Sequence, residues 1–168
     1  MNPSIHITNR RTAEAVARTL RERNRAGAFL SIRGTDEKEP DLSTPGGSSC
    51  YLCFDDVEDD SVPGCTPMSD AQATRIADFL EELTASDPTT LIVHCSAGIS
   101  RSAGVAAAIH EALGWPIANA RDSNVFRDGK FAPNMHCYRT TLRALGGDVT
   151  QEELDALWQA AVESADET

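Results

Sequence analysis

The stretch that decides the fold is LIVHCSAGISRS, residues 91–102. It opens with three apolar residues, which predict a short central strand at 91–93. Small side chains form a loop after this strand, and residues 101–113 are apolar on nearly every side, which predicts a buried helix. A strand that passes through a loop into a helix is a unit of an α/β sheet, and such sheets bind ligands at the carboxyl ends of their strands. We therefore expect the functional site in this loop.

Outside this stretch, the hydrophobic pattern predicts strands and helices in alternation. Strands are predicted at 4–8, 28–33 and 50–54. Helices are predicted at 10–24, 70–84, 116–126, 134–145 and about 150–164, the last being the C-terminal helix. Residues 34–49 and the acidic segment 55–68 are predicted as loops. Side chains suited to N-caps precede three of these helices: Asn9, Ser69 and Thr150. This order predicts a single α/β domain over residues 1–168, with a central, mostly parallel sheet and helices on both faces.

Composition and charge exclude several classes of protein. The chain has 168 residues, of which 40% are hydrophobic and 24% charged, as in a globular domain with a real core. No apolar run is long enough for a membrane span, and the first residues lack the apolar stretch of a signal peptide. The five cysteines are therefore expected to be thiols in a cytoplasmic protein. Arginine outnumbers lysine thirteen to two, which hints at a GC-rich bacterium or its phage as the source.

The net charge of −11 argues against a general binder of nucleic acid or of anionic membranes. This charge is unevenly distributed along the chain. Residues 1–40 hold eight basic and five acidic groups, and the remainder holds seven basic and 21 acidic groups. We expect the basic helix within residues 10–25 to present a solvated face.

The loop after the central strand has the residues of an anion site with a nucleophile. Its small side chains let an anion approach the backbone N–H groups and the helix N-terminus, and Gly98 permits a turn that other residues resist. Such a cradle also stabilises the thiolate of Cys95, five residues before Arg101. The planar fork of Arg101 can hold two phosphoryl oxygens, and Ser102 can donate a hydrogen bond to the thiolate.

At residues 93–102 the sequence resembles the signature of the cysteine-based protein tyrosine phosphatase superfamily. The pairs Ala97-Gly98 and Arg101-Ser102 are most similar to the small dual-specificity branch, and the resemblance extends over about residues 50–145. It implies a dual-specificity phosphatase-like fold, a phosphocysteine intermediate on Cys95, and neither a metal nor a cofactor. It also implies a phosphate-binding loop over residues 95–101, in which substrate is held by Ser96, Ala97, Gly98, Ile99, Ser100 and Arg101. Within this family, His94 shapes the loop and is not a base.

The resemblance also implies an aspartate as general acid, on a loop upstream of the cysteine. The segment Phe54-Asp-Asp-Val57 best matches the family pattern, so we select Asp56, and most of the other acidic residues in the loop must be solvated. Asp55, Asp59 and Asp60 stay open as alternatives for this role.

The expected activity is phosphomonoester hydrolysis, with phosphotyrosine as the first choice of substrate and phosphoserine or phosphothreonine also open. The partner would be a phosphorylated protein or a small phosphate ester. Lipid-phosphate relatives often carry lysines inside the loop, and residues 96–100 contain none. Two alternatives stay open: a non-catalytic phosphate-binding module and a rhodanese-type sulfurtransferase. The sequence leaves the oligomeric state and the physiological substrate undetermined.

Several further residues have weaker signals. Cys50 and Cys53 are three apart in a strand and point to opposite faces, so core packing is favoured over a metal site. A redox role for Cys53 or another thiol, Cys65 and Cys137 included, stays open. Asn134 is expected to cap a helix, and by resemblance lies near the phosphate loop. His110 is expected in the core and His136 on a helix surface. Arg127 and Lys130 are expected to be either plain surface charge or contacts for an acidic or phosphorylated substrate.

Overall fold

Four parallel strands form the centre of the protein, in the computed structural model that describes residues 2–167. The strands are β1 (Ser4–Asn9), β2 (Ala28–Arg33), β3 (Ser48–Cys53) and β4 (Thr90–Cys95). Their order is β1-β4-β2-β3. The predicted strand at 91–93 is therefore confirmed as central, because β4 lies between β1 and β2, with Val93 paired to Ile7 on one side and to Leu30 on the other.

Helices cover both faces of the sheet, because neighbouring residues in each strand point to opposite sides. The five helices are α1 (Arg10–Glu22), α2 (Asp70–Ala85), α3 (Arg101–Leu113), α4 (Met135–Ala144) and α5 (Gln151–Asp166). On one face, Phe29 packs with Ala13 and Ala17 of α1. On the other face, Leu30 and Ile32 belong to the larger core beneath α2, α3 and α4. The predicted fold class is thus confirmed. Within residues 2–167, no helix has the length and apolar character that crossing a membrane requires.

The predicted helix starts are present as hydrogen-bonded caps. The Asn9 side chain accepts from the N–H of Thr12 at 2.7 Å. Ser69 and Thr150 each form a capping box with the third residue of the helix that follows. The observed bounds differ from the predicted ones by one or two residues at most ends, which is the normal fraying of helix and strand limits.

The predicted helix at 116–126 is wrong. Only two short 3-10 turns occur there, Arg121–Ser123 and Val125–Arg127, and α5 packs against the second. Ile117 instead pairs with Ile5 of β1. Asn119 accepts from the N–H of Ile7 at 3.0 Å and donates to its carbonyl at 2.7 Å. These contacts with a distant strand replace the local hydrogen bonds of a helix.

The carbonyls of β3 are bonded by side chains of α2. Gln72 Nε2 donates to the carbonyl of Cys53 at 2.8 Å, and Arg75 Nη2 donates to that of Tyr51 at 2.9 Å. These bonds hold the start of α2 against the last strand of the sheet. They also fix the carboxyl end of β3, from which the acidic loop leaves.

Candidate active site

The loop between β4 and α3 surrounds the Cys95 sulfur with hydrogen-bond donors. Cys95 ends β4 and is 2% exposed. Its Sγ accepts from the N–H of Gly98 at 3.3 Å and lies 3.1 Å from the Ser102 hydroxyl. The N–H groups of residues 97, 99 and 100 donate to no partner within residues 2–167. The loop therefore presents a thiol and free backbone donors together, which suits an anion.

The main-chain path of this loop requires glycine at position 98. Gly98 has φ +71°, and a Cβ atom there would lie 2.5 Å from the carbonyl carbon of Thr8 and 2.6 Å from the nitrogen of Asn9. The loop therefore rests directly on the end of β1. The N–H of Arg10 adds a hydrogen bond to the carbonyl of Ser96 at 3.2 Å.

Arg101 is held in place by two of its nitrogens, and its third is left free. Its Nη1 donates to the carbonyl of Phe54 and its Nη2 to the hydroxyl of Ser96, both at 2.9 Å. The side chain is 7% exposed, and Nε has no partner within residues 2–167. A buried donor without a partner is costly, so Nε is suited to an oxygen supplied by a ligand.

Glu37 supports the same arginine, and the sequence analysis missed it. Its Oε1 accepts from the hydroxyl of Ser96 and, at 2.9 Å, from the N–H of Gly34. Its Oε2 lies 3.8 Å from Nη1 of Arg10. Partial burial works to raise the pKa of Glu37, but the bonds from Ser96 and Gly34 and the charges of Arg101 and Arg10 outweigh it and lower the pKa. Because the Ser96 proton goes to Glu37, the Ser96 oxygen is fixed as an acceptor for Arg101.

Asp56 is the member of the acidic loop that contacts the phosphate loop. Its Oδ1 accepts from the hydroxyl of Ser100 at 2.8 Å and from Nδ2 of Asn134 at 2.9 Å. No partner within residues 2–167 is bonded to Oδ2. Asp56 is exposed, so its carboxyl group lies at the mouth of the loop and is open to a substrate.

The other acidic residues of this loop have different partners. Asp55 accepts from the N–H groups of Thr35 at 3.0 Å and Thr66 at 2.8 Å, and these bonds lower its pKa. Asp59 accepts from Ser61, which lowers the pKa of Asp59 as well. Asp60 is exposed and has no hydrogen bond to the phosphate loop in the described part of the chain. Among these residues, Asp56 is the one whose carboxyl group is bonded to the loop that holds Cys95, so this geometry favours Asp56 over Asp55 and Asp59.

Asn134 joins the acidic loop to α4 and to the phosphate loop. Its Oδ1 caps α4 by accepting from the N–H of Cys137 at 2.9 Å, and its own N–H donates to the carbonyl of Ser100 at 3.0 Å. A side chain at position 104 would come within 2.4 Å of the Asn134 carbonyl. Gly104 therefore allows the start of α4 to lie against the first turn of α3.

His94 lies behind the loop and is completely buried. Its Nδ1 is 3.1 Å from the carbonyl of Cys95, and its Nε2 is 2.6 Å from the hydroxyl of Ser31. Because a carbonyl only accepts, Nδ1 carries the proton and Nε2 accepts from Ser31. Burial lowers the pKa of His94, so the ring is neutral at pH 7 and fixes the carbonyl of Cys95.

The remaining candidate residues lie apart from this cluster or have structural partners. All five cysteines are free thiols, and burial raises the pKa of Cys50 and of Cys137. His110 bonds the carbonyl of Trp115, and His136 bonds that of Met68. Lys130 donates to the carbonyl of Asn119 at 2.8 Å, whereas Arg127 is exposed. Within residues 2–167, no three His, Cys, Asp or Glu side chains are grouped as metal ligands would be.

Two solved structures are similar to this chain over nearly its whole length. Tk-PTP in its active form has 17% sequence identity and a TM-score of 0.41, and the match covers 97% of this chain and 92% of that one. Human DUSP28 has 16% identity and a TM-score of 0.48, with coverages of 99% and 96%. No protein-family model matches the sequence, and no curated protein does. Because both TM-scores are below 0.5, functional conclusions depend on the geometry around Cys95 alone.

Proposed function

We propose that the protein is a phosphomonoester hydrolase that forms a phosphocysteine intermediate on Cys95. The observation that carries this proposal is the unpartnered Nε of the buried Arg101, which belongs to the same short loop as the Cys95 thiol. The loop N–H groups and the guanidinium together offer donors to a phosphoryl group, while the sulfur offers a nucleophile.

The first step transfers the phosphoryl group to sulfur. The Cys95 thiolate attacks phosphorus, so a sulfur–phosphorus bond forms as the bond to the leaving oxygen breaks. Arg101 and the loop N–H groups stabilise the charge on the transferring oxygens. Asp56 gives its proton to the leaving oxygen, and Oδ2 is the carboxyl oxygen available to hold that proton.

The second step returns the enzyme to its starting state. Asp56, now a carboxylate, takes a proton from a water molecule, and the resulting nucleophile attacks phosphorus. The sulfur–phosphorus bond breaks, and inorganic phosphate leaves. Ser102, whose hydroxyl lies 3.1 Å from the sulfur, donates a hydrogen bond that stabilises the departing thiolate.

The substrate we propose is a phosphotyrosine in a protein, with phosphoserine and phosphothreonine as further candidates. Asp56 is exposed and Ile99 is 44% exposed at the mouth of the loop, which is compatible with a shallow site. Residues 96–100 contain no lysine, which disfavours substrates with several phosphates on one ring.

The test is hydrolysis of an aryl phosphate between pH 4 and 9, with a reductant, by the wild type and four variants. We expect no turnover by Cys95→Ser and a loss of about 10²-fold or more by Asp56→Asn. Asp55→Asn is the matched control and should keep most of the activity. Ser102→Ala should slow the second step, so that the phosphorylated protein accumulates in rapid-quench experiments.

The same assay separates the two alternatives. An inert wild type that binds a phosphopeptide would support a phosphate-binding module instead. Transfer of sulfur from thiosulfate without phosphatase activity would support a sulfurtransferase. Neither alternative requires the bonds that hold Asp56 over the loop, and the hydrolase does.

A further inference from the structure

The helix α1 is covered along one side and open along the other. On the covered side, Ala13 and Ala17 pack with Leu42, and Arg21 Nη1 donates to the carbonyl of Ser43 at 2.9 Å. On the open side runs a shallow groove, which we call the α1 groove. It is lined by Arg11, Thr12, Ala15, Val16, Thr19 and Leu20.

The α1 groove extends towards the phosphate loop at one end. At that end, Thr12 also lines a depression that includes Ala97 and Gly98 of the phosphate loop, with Lys130 at its border. At the other end, Val16 and Leu20 also line a cleft of about 510 Å³ whose apolar floor includes Phe29 and Ile92. A chain lying in the groove would therefore run from the phosphate loop towards the amino ends of β2 and β4.

The border of the groove is strongly basic in a protein whose net charge is −11. Arg11 lines the groove, Arg25 and Asp87 line the adjoining cleft, and Arg18 and Arg23 are exposed on α1 and at its C-cap. In the described part of the chain, none of these four arginine side chains forms an ion pair. Exposed arginines that carry no ion pair and lie near the apolar residues Val16 and Leu20 are free to receive acidic side chains of a peptide.

We propose that the α1 groove docks an acidic segment of the phosphoprotein substrate while the phosphorylated residue occupies the phosphate loop. Acidic side chains would meet the arginines, and apolar side chains between them would contact Val16 and Leu20. The 13 residues of α1 span about 20 Å, which an extended peptide covers in about six residues. An acidic segment of about six residues would therefore fill the groove. This inference rests on the proposed function.

The experiment compares kcat/KM for phosphotyrosine peptides that differ only in their flanks. One set carries Glu and Leu on either side of the phosphotyrosine, and the other carries Gln and Leu. At low salt we expect the wild type to favour the acidic flank by about three- to tenfold on the side that occupies the groove. The double variant Arg11→Gln/Arg18→Gln should lose this preference and keep its turnover of a small aryl phosphate.

The matched control is Arg121→Gln/Arg143→Gln, which removes the same charge from exposed positions whose side chains bond residues five or six positions away in the chain. It should keep the preference. Equal turnover of all peptides by a wild type that hydrolyses aryl phosphate would overturn the docking site and leave the proposed function intact. An equal loss of preference in the control would also overturn the docking site.

A wild type inert towards aryl phosphate would overturn the proposed function, and the groove is then measured by binding. Fluorescence anisotropy of a labelled acidic peptide without phosphate should show weaker binding to Arg11→Gln/Arg18→Gln than to the control. Equal binding would overturn the docking site. The protein's binding to phosphatidylserine vesicles is measured in parallel. If the protein binds these vesicles but binds the acidic and the Gln-containing peptides equally, the groove contacts a membrane surface and the docking site is overturned.

Discussion

Asn134 donates a hydrogen bond of 2.9 Å from its Nδ2 to Oδ1 of Asp56, and thereby joins the start of α4 to the acidic loop. The Asn134 side chain has two separable tasks, because its Oδ1 also caps α4. A substitution that keeps the cap and removes the amide donor breaks the bond to Asp56, together with a longer bond of 3.3 Å to the carbonyl of Val57.

Asn134→Asp makes this separation, because aspartate is a good N-cap but cannot donate from an amide group. We expect kcat for an aryl phosphate to fall by about tenfold or more, since a general acid contributes about 10²–10⁴-fold and would now be mispositioned. The melting temperature should fall as well, because Asn134 is 4% exposed and the new carboxyl group lies beside that of Asp56. Asn124→Asp is the control, because Asn124 caps a short turn elsewhere. An unchanged kcat would show that Asn134 does not position the acid.

Glu37→Ala removes the carboxylate that fixes Ser96, and through it Arg101. We expect kcat to fall by about tenfold, because the guanidinium loses a fixed position for the transition state. The inhibition constant of inorganic phosphate should change less, because the variant also removes a negative charge near the loop. Glu37→Gln should be milder, since its amide oxygen still accepts from Ser96. Glu39→Ala, on an exposed residue of the same loop, is the control.

The lowered pKa of Glu37 also predicts a pH dependence. A carboxyl group whose folded pKa is below its ordinary value of about 4.3 contributes fully above that value and loses its contribution as the pH falls through the folded pKa. Glu37 should therefore be ionised throughout pH 5–8. The ratio of kcat in Glu37→Gln to kcat in the wild type should stay constant over this range, and a ratio that varies would contradict the assignment.

Gly98→Ala tests the contact of the phosphate loop with β1. We expect loss of nearly all turnover, because the new Cβ would meet the backbone of Thr8 and Asn9 at 2.5–2.6 Å. Gly114→Ala is the matched control: its φ of +72° is nearly the same, but nothing lies within 4 Å of the added Cβ. Gly114→Ala should lower the free energy of unfolding by only about 1–2 kcal/mol, which is the cost of a side chain in the left-handed backbone conformation. If Gly98→Ala and Gly114→Ala lost the same fraction of turnover, the close contact with β1 would not explain the need for glycine at position 98.

Asp55 should contribute to stability in a way that depends on pH. Hydrogen bonds from Thr35 and Thr66 lower its pKa, so its contribution is present above the unfolded value of about 3.9 and is lost as the pH falls through the folded value. We expect Asp55→Asn to lower the free energy of unfolding by about 1 kcal/mol at pH 7. Its stability should also fall less steeply than that of the wild type from pH 5 to 2.5. Urea titrations at several pH values measure the free energy of unfolding and its pH dependence. Asp60→Asn is the control, and its stability should follow that of the wild type.

Local sequence signals were enough to predict the central strand, the buried helix and the capped helices. Each of these depends on neighbouring residues, as with Ser69 and Gln72, which form their capping box within one turn. The phosphate loop is local as well, because its residues are contiguous in the chain. The choice of Asp56 needed the family pattern, and the sequence left other acidic residues open.

Two features depend on contacts that the sequence does not display. Glu37 reaches Ser96 across 59 positions of the chain, from a loop whose only sequence signal is its glycines and prolines. The segment after Pro116 has apolar residues at helical spacing, yet its backbone pairs with β1 more than a hundred positions earlier. Pairing over such distances overrides local preference, and a single sequence carries no mark of the partner.

The bonds made by Asn119 on one side of the sheet, and by Gln72 and Arg75 on the other, have a consequence for association between copies of the chain. An outermost strand with unpaired N–H and C=O groups is a template for aggregation. Asn119 occupies both the N–H and the carbonyl of Ile7 on β1, and the α2 side chains occupy two carbonyls of β3. These three polar side chains occupy hydrogen-bonding groups on both edge strands of the sheet, so a strand from another copy can pair with only part of either edge. The segment around Asn119, for which the sequence predicted a helix, thus hinders edge-to-edge association through β1.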